Sequence, residues 1–153
     1  MEIDAADRTL LRLMQEDADR RLDALAHATG LSAATVQRRL KRLRAGGAIR
    51  GTVAVLDAAL LGHPLTVIVH VELEREGAAR IDAFARRAAA EPMVQQAFYV
   101  TGEADFVLVT AAPDMAAFEA LTRRLLHGDD NVRRFRTSVA LRTVKTGSGV
   151  PIP

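Results

Sequence analysis

Along the first fifty residues the apolar positions recur at helical spacing. Leu10, Leu11 and Met14 form one stripe, Asp4 stands where an N-cap belongs and Asp7 lies in the first turn, which predicts a helix over 5–17. Leu22, Leu25 and Ala26 predict a second helix over 22–29, stopped by Gly30. Ser32 caps a third helix over 33–45, with Val36, Leu40 and Leu43 inward and Gly46-Gly47 at its end. The period then changes to two. Leu65, Val67, Val69, Val71 and Leu73 alternate with Thr66, Ile68, His70, Glu72 and Glu74, the mark of a strand with one apolar face. Ile81, Phe84, Ala85 and Ala88 share a helical face over 78–90. Strands over 94–101 and 104–111 flank the short turn Gly102-Glu103 as a hairpin candidate. Asp114, after Pro113, caps a helix with Phe118, Leu121 and Leu125 inward, and 132–144 reads as a last strand.

The second part therefore runs β-α-β-β-α-β, the ferredoxin-like order, and the class is α+β. The expected organisation is a helix-turn-helix domain over 1–51, a linker over 52–63, a ferredoxin-like domain over 64–145 and a flexible tail over 146–153. The tail follows from Gly147, Ser148, Gly149, Pro151 and Pro153.

Charge sharpens this division. Residues 1–23 carry four arginines against seven acids, while 57–153 are close to neutral. Residues 24–56 hold Arg38, Arg39, Lys41, Arg42, Arg44 and Arg50 with no acid, inside a chain of net charge +2; the island reads as a polyanion footprint or as a solvated basic face. The chain has no cysteine, which removes a disulfide scaffold, a thiolate metal site and a cysteine nucleophile. The acidic N-terminus does not fit a signal peptide and no apolar run reaches a membrane span, so a soluble, cytoplasmic protein without a membrane partner is expected.

Two helices joined by a tight glycine turn, the second basic and capped by serine, form a helix-turn-helix pattern, so double-stranded DNA is the expected partner. With Val36, Leu40 and Leu43 inward, Ala33, Ala34, Gln37 and Arg38 face outward near the start of the third helix. Gln binds adenine and Arg binds guanine bidentately in a major groove. Arg39 and Arg42 are suited to backbone phosphates, which position without specifying. Ser32 and Thr35 complete the candidate DNA-binding set.

The chain resembles the Lrp/AsnC regulators, the feast/famine transcription factors. The likeness runs over residues 2–145, through Asp4, Asp7, Leu10, Leu11, Leu13 and Asp17, then Gly30-Leu31-Ser32, Thr35-Val36, Arg38-Arg39, Arg42-Leu43, Gly47, Ile49 and Gly51. It continues through Leu56, Asp57, Leu61 and Gly62 to Gly102, Asp105, Asp114 and Phe118. The resemblance implies a winged helix-turn-helix joined to a ferredoxin-like effector domain. It implies dimers through that domain's sheets, often assembled into octamers. It also implies a small-molecule effector, most often an amino acid, bound between neighbouring effector domains. Carried over by position, the effector site would use Tyr99, Val100, Thr101, Gly102, Glu103, Asp105, Met115, Ser138, Val139 and Ala140. Ala104 replaces an aromatic common in the family and is expected to widen the pocket. On the residues alone, Gly102 and Asp105 read equally well as a hairpin turn and its hydrogen-bonded partner.

Catalysis has less support. His27, His63, His70 and His127 are scattered, no metal or catalytic motif is present, and the pattern requires no cofactor and no metal. Glu72/Glu74 and Asp129/Asp130 read as surface acids. Siroheme decarboxylases resemble the same two-domain architecture; His70, His127 and Arg142 are the candidates for that reading, which the basic third helix disfavours. A third reading is an architectural DNA-binding protein without an effector.

Overall fold

The computed structural model describes residues 2–75, 77–147 and 149–153, and these divide into two compact units. One comprises the N-terminal residues through Val55 together with the last residues from Lys145; the other is Leu56–Val144.

In the first unit α1 (Ala5–Glu16), α2 (Leu22–Thr29) and α3 (Ala33–Ala45) form where the caps put them. Asp4 and Asp7 make a reciprocal capping box: each side chain accepts the other's backbone N–H, at 2.8 Å from Asp7 N and 3.2 Å from Asp4 N. Gly30 ends α2 with φ 66°, a left-handed conformation that favours glycine, and its N–H returns to the last carbonyls of that helix. Ser32 caps α3 through Thr35 N. Leu10, Leu25, Val36 and Leu40 meet in one small core, edged by Leu13, Met14, Leu22, Ala26, Leu31 and Ile49.

The wing implied by the resemblance is not a hairpin here. Residues 46–64 contain no strand, since an extended segment with no neighbouring strand has nothing to pair its backbone with. Asp57 instead caps a short turn through Ala59 N and Leu60 N. The terminal residues, expected as a loose tail, meet α1. The Gln15 side chain exchanges two hydrogen bonds with the Val150 backbone, both 2.9 Å. Ser148, part of that expected tail, lies outside the described residues.

The second unit holds β1 (Leu65–Leu73), α4 (Ala78–Ala90), β2 (Val94–Tyr99), β3 (Phe106–Ala112), α5 (Met115–Thr122) and β4 (Val132–Val139). The strands pair antiparallel in the order β2-β3-β1-β4, the ferredoxin-like arrangement. Val67, Val69, Val71, Phe106 and Leu108 face a core filled by Phe84 and Ala88 of α4 and Phe118 and Leu121 of α5. Both helices thus cover one sheet face. The other face carries Thr66, Ile68, His70 and Glu72 of β1, all half-buried, beside Val107 and Val109.

Three element limits differ from the pattern. β2 and β3 stop short of Gly102, leaving a six-residue connection from Val100 to Asp105; Val100 N still donates to Asp105 O at 2.8 Å, while Asp105 N and its carboxylate meet Val71 O and Leu73 N of β1. β4 ends at Val139, and Ala140 N makes one more bond, to Thr66 O near the start of β1. After Thr122 the helix widens into a π turn, Arg123–His127, in which consecutive Leu125 and Leu126 are both buried.

Candidate DNA interface and effector site

On α3, Ala34, Gln37, Arg38 and Lys41 form the exposed stripe opposite the buried one. Ala33 is half-buried, and Ser32 and Thr35 share a hydroxyl contact of 2.9 Å besides the cap. Arg39 and Arg42 lie on the flank that faces the start of α1. Arg39 Nη1 donates to Asp4 Oδ2 at 2.6 Å and to Asp7 Oδ1 at 2.9 Å, and Arg42 Nη2 donates to Asp7 Oδ2. The Asp7 side chain is fully buried, while Arg39 keeps 24% and Arg42 47% of its side-chain surface exposed. The Asp7 backbone N–H, and secondarily the Arg39 guanidinium, hold the Asp4 carboxyl below its ordinary range. Asp4 raises the Arg39 pKa in turn, with a smaller contribution from Asp7. Sequence reasoning found Asp7 as a helix-start acid and Arg39 and Arg42 as cations. It missed their pairing, because the partners are more than thirty positions apart and no local pattern marks them.

The candidate effector residues fall into two groups at opposite ends of the sheet. Tyr99, Val100, Thr101, Gly102, Glu103 and Asp105 sit at the end where Asp105 N donates to Val71 O. Ser138, Val139 and Ala140 sit at the other end, where Ala140 N donates to Thr66 O. Met115 follows Ala112, which pairs with Leu65, and belongs with this second group. From Thr66 to Val71 is about 16 Å along an extended strand. One chain therefore does not bring the ten residues together.

At the turn end, Gly102 has φ 122°, where an L side chain is strained. Tyr99 is 58% exposed, and its ring centroid lies 5.3 Å from that of Phe106. Asp105 Oδ2 accepts Leu73 N at 2.6 Å, so one carboxylate oxygen already terminates β1. Glu103 pairs with Arg136 of β4 at 3.0 Å. Ala104 is buried, so its small side chain does not widen an exposed pocket.

Of the acids expected at the surface, Glu74 and Asp130 lie there, while Glu72 and Asp129 are largely covered. Glu72 is only 12% exposed and pairs with Arg134 at 2.7 Å, which holds its carboxyl below the usual range. Asp129 pairs with Arg87 and Asp130 with Arg80. His70 and His127 lie on opposite faces of the sheet: His70 alternates with core-facing Val69 and Val71, whereas the His127 ring packs against Phe135 on the helix side. Among the described residues no three His, Cys, Asp or Glu side chains gather as a metal site, and no helix is long and apolar enough to cross a membrane.

Residues 66–150 match the family described as the Lrp/AsnC ligand binding domain, and residues 3–44 match the AsnC-type helix-turn-helix domain. The chain belongs to the Lrp/AsnC family. It is 37% identical to the leucine-responsive regulatory protein of Rhizobium meliloti, over 99% of this chain and 97% of the relative. An uncharacterized HTH-type transcriptional regulator of Sinorhizobium fredii is 40% identical over 99% of this chain and 90% of its own. Among solved structures, a transcriptional regulator of Neisseria meningitidis in complex with L-Met superposes with a TM-score of 0.90 at 27% identity, covering 98% of this chain and 97% of that one. In this chain the helix-turn-helix part comes first and the ligand-binding part second.

Proposed function

We propose that this protein is a sequence-specific transcription regulator that reads DNA through α3 and responds to an amino acid held between effector domains of neighbouring copies. It acts by binding, without catalytic turnover, and works in the cytoplasm. The family assignment carries this reading. The outward stripe of α3 supports the first half, because Gln37 and Arg38 are exposed on it and are side chain types that bind base edges bidentately. The split of the effector residues supports the second. Two groups about 16 Å apart on one sheet form a single small-molecule site only when one copy offers its turn to another copy's β4 end. This reading requires a homo-oligomer, at least a dimer; the octamer is what the family resemblance implies.

The test is a thermal-shift screen of the twenty amino acids, with methionine first because a structural neighbour was solved with it. A ligand at 100 times its Kd adds about 2.7 kcal/mol to the unit that binds it. A hit that also changes affinity for a DNA duplex establishes the effector. A shift with no change in DNA binding removes the regulatory half of the reading. For the DNA half, Arg38→Ala is expected to cost about 1–3 kcal/mol on the preferred operator and to relax preference at one position. An equal loss on every duplex makes Arg38 a phosphate contact instead.

At the turn, Asp105→Asn keeps an oxygen for Leu73 N and removes the charge an effector ammonium would meet. Its expected result is an unchanged melting temperature of the unliganded protein with effector affinity lowered about tenfold or more. Asp105→Ala is the poorer test, since it also leaves the Leu73 N–H unpaired. Retained effector affinity in Asp105→Asn takes this residue out of the site.

A further inference from the structure

Arg38, Arg39 and Arg42 line an open cavity of about 190 Å³ on the helical unit. Three guanidinium groups at one place repel one another, and surface arginines are ordinarily free to move apart. Here two of the three are fixed from behind. Asp7, fully buried, holds both Arg39 and Arg42, and Asp4 takes a second bond from Arg39. A guanidinium carries five N–H donors in a rigid fork. Arg39 commits Nη1 to the two acids and Arg42 commits Nη2 to Asp7, so the remaining edge of each is not used by this cluster. Arg39 and Arg42 balance Asp4 and Asp7 in charge, so what the cavity offers a phosphodiester is the unused N–H edges of these two anchored forks. Waters occupy about 30 Å³ each in the liquid, so the cavity has room for a tetrahedral oxyanion.

We propose that this cavity is a preformed seat for one DNA backbone phosphate, and that Asp7 is the positioning residue that builds it. The inference deepens the DNA-reading function and rests on it. Asp7 has no exposed surface and cannot meet DNA; it acts through the arginines. Anchoring the forks before binding removes the ordering cost that free side chains meet at an interface. Bidentate geometry toward phosphate then comes from planar guanidinium, which a lysine does not reproduce. The seat lies on the flank of α3 beside the exposed stripe. It therefore fixes the register of the helix while Gln37 and Arg38 read bases.

The experiment is duplex binding by the full-length protein, followed by fluorescence anisotropy at several salt concentrations. Asp7→Asn removes a negative charge, so charge alone makes it bind a polyanion more tightly. The seat makes the opposite prediction, a loss of about tenfold per half-site, the worth of one hydrogen bond to a charged group. Asp7→Glu keeps the charge and the capping box and is expected to restore most of the affinity. Should Asp7→Asn fail to fold, Arg39→Lys serves: it keeps the charge and loses the fork, and is expected to bind about tenfold more weakly. Native or tighter binding by whichever of these folds overturns the seat. Lys41→Gln, outside the seat, separates the two levels of the argument. If Lys41→Gln weakens binding while Asp7→Asn and Arg39→Lys do not, DNA reading stands and the seat falls. If the native chain binds no duplex at low salt, both fall.

Discussion

Leu10→Ala is expected to abolish DNA binding while the effector unit stays folded. Leu10 is fully buried, at the point where α1 meets α2 and α3. Truncating a buried leucine to alanine costs about 2–5 kcal/mol, from lost transfer energy and the cavity left behind. The helical unit has little to set against that. Its core is a cluster of four buried side chains and a rim, with Leu43 of α3 also buried, and single cores in chains below about 70–80 residues rarely supply more than ~3–5 kcal/mol. The effector unit has its own core, built around Val67, Val69, Val71, Phe84, Phe106 and Leu108, and Leu10 is not part of it. Calorimetry of the variant should therefore show the helical transition lost or displaced far downward and the effector transition kept. Effector binding should still raise that remaining transition. A single transition that moves as a whole would show that the two units unfold together, and the independence argued from their separate cores would be wrong.

The parts legible in the sequence are those whose causes are local. The capping residues Asp4, Ser32 and Asp114 sit next to the helices they start, so the beginnings of α1, α3 and α5 could be read directly. β1 declares itself by alternation because from Val67 to Leu73 one of its faces is buried and the other is not. What could not be read depends on partners distant in sequence. β4 stops with Val139 paired to Val67 and one more bond from Ala140 N to Thr66 O, not where its residues lose strand propensity. The π turn follows from burying Leu125 and Leu126 together, a demand of the core and not of the local pattern. The pairing of Asp7 with Arg39 and Arg42 joins a helix-capping acid to residues expected at phosphates. The two ends of the candidate effector site look like one site only through the family resemblance. In one chain the sheet holds them apart.

Salt is expected to change DNA affinity more than any single substitution, and the slope counts the DNA-binding heads. On the proposed reading each α3 would meet one phosphate at the arginine cavity and one each at exposed Lys41 and Arg44. Each neutralised phosphate contributes about −0.9 to the slope of log K against log[salt]. Two heads on one operator then give a slope of about −5, and affinity falls about a thousandfold between 50 and 200 mM salt. One head alone gives about half that slope and a loss of roughly 40-fold. The comparison needs no knowledge of the operator, because the phosphate contribution is common to all duplexes. A slope near −5 on specific duplex supports a pair of α3 helices presented together, as half-sites about one helical turn apart require. A slope near half of that means a single head is engaged, and the oligomer argued from the divided effector residues does not act as a pair on DNA. A slope close to zero would mean that the basic island around α3 is a solvated face with no phosphate role.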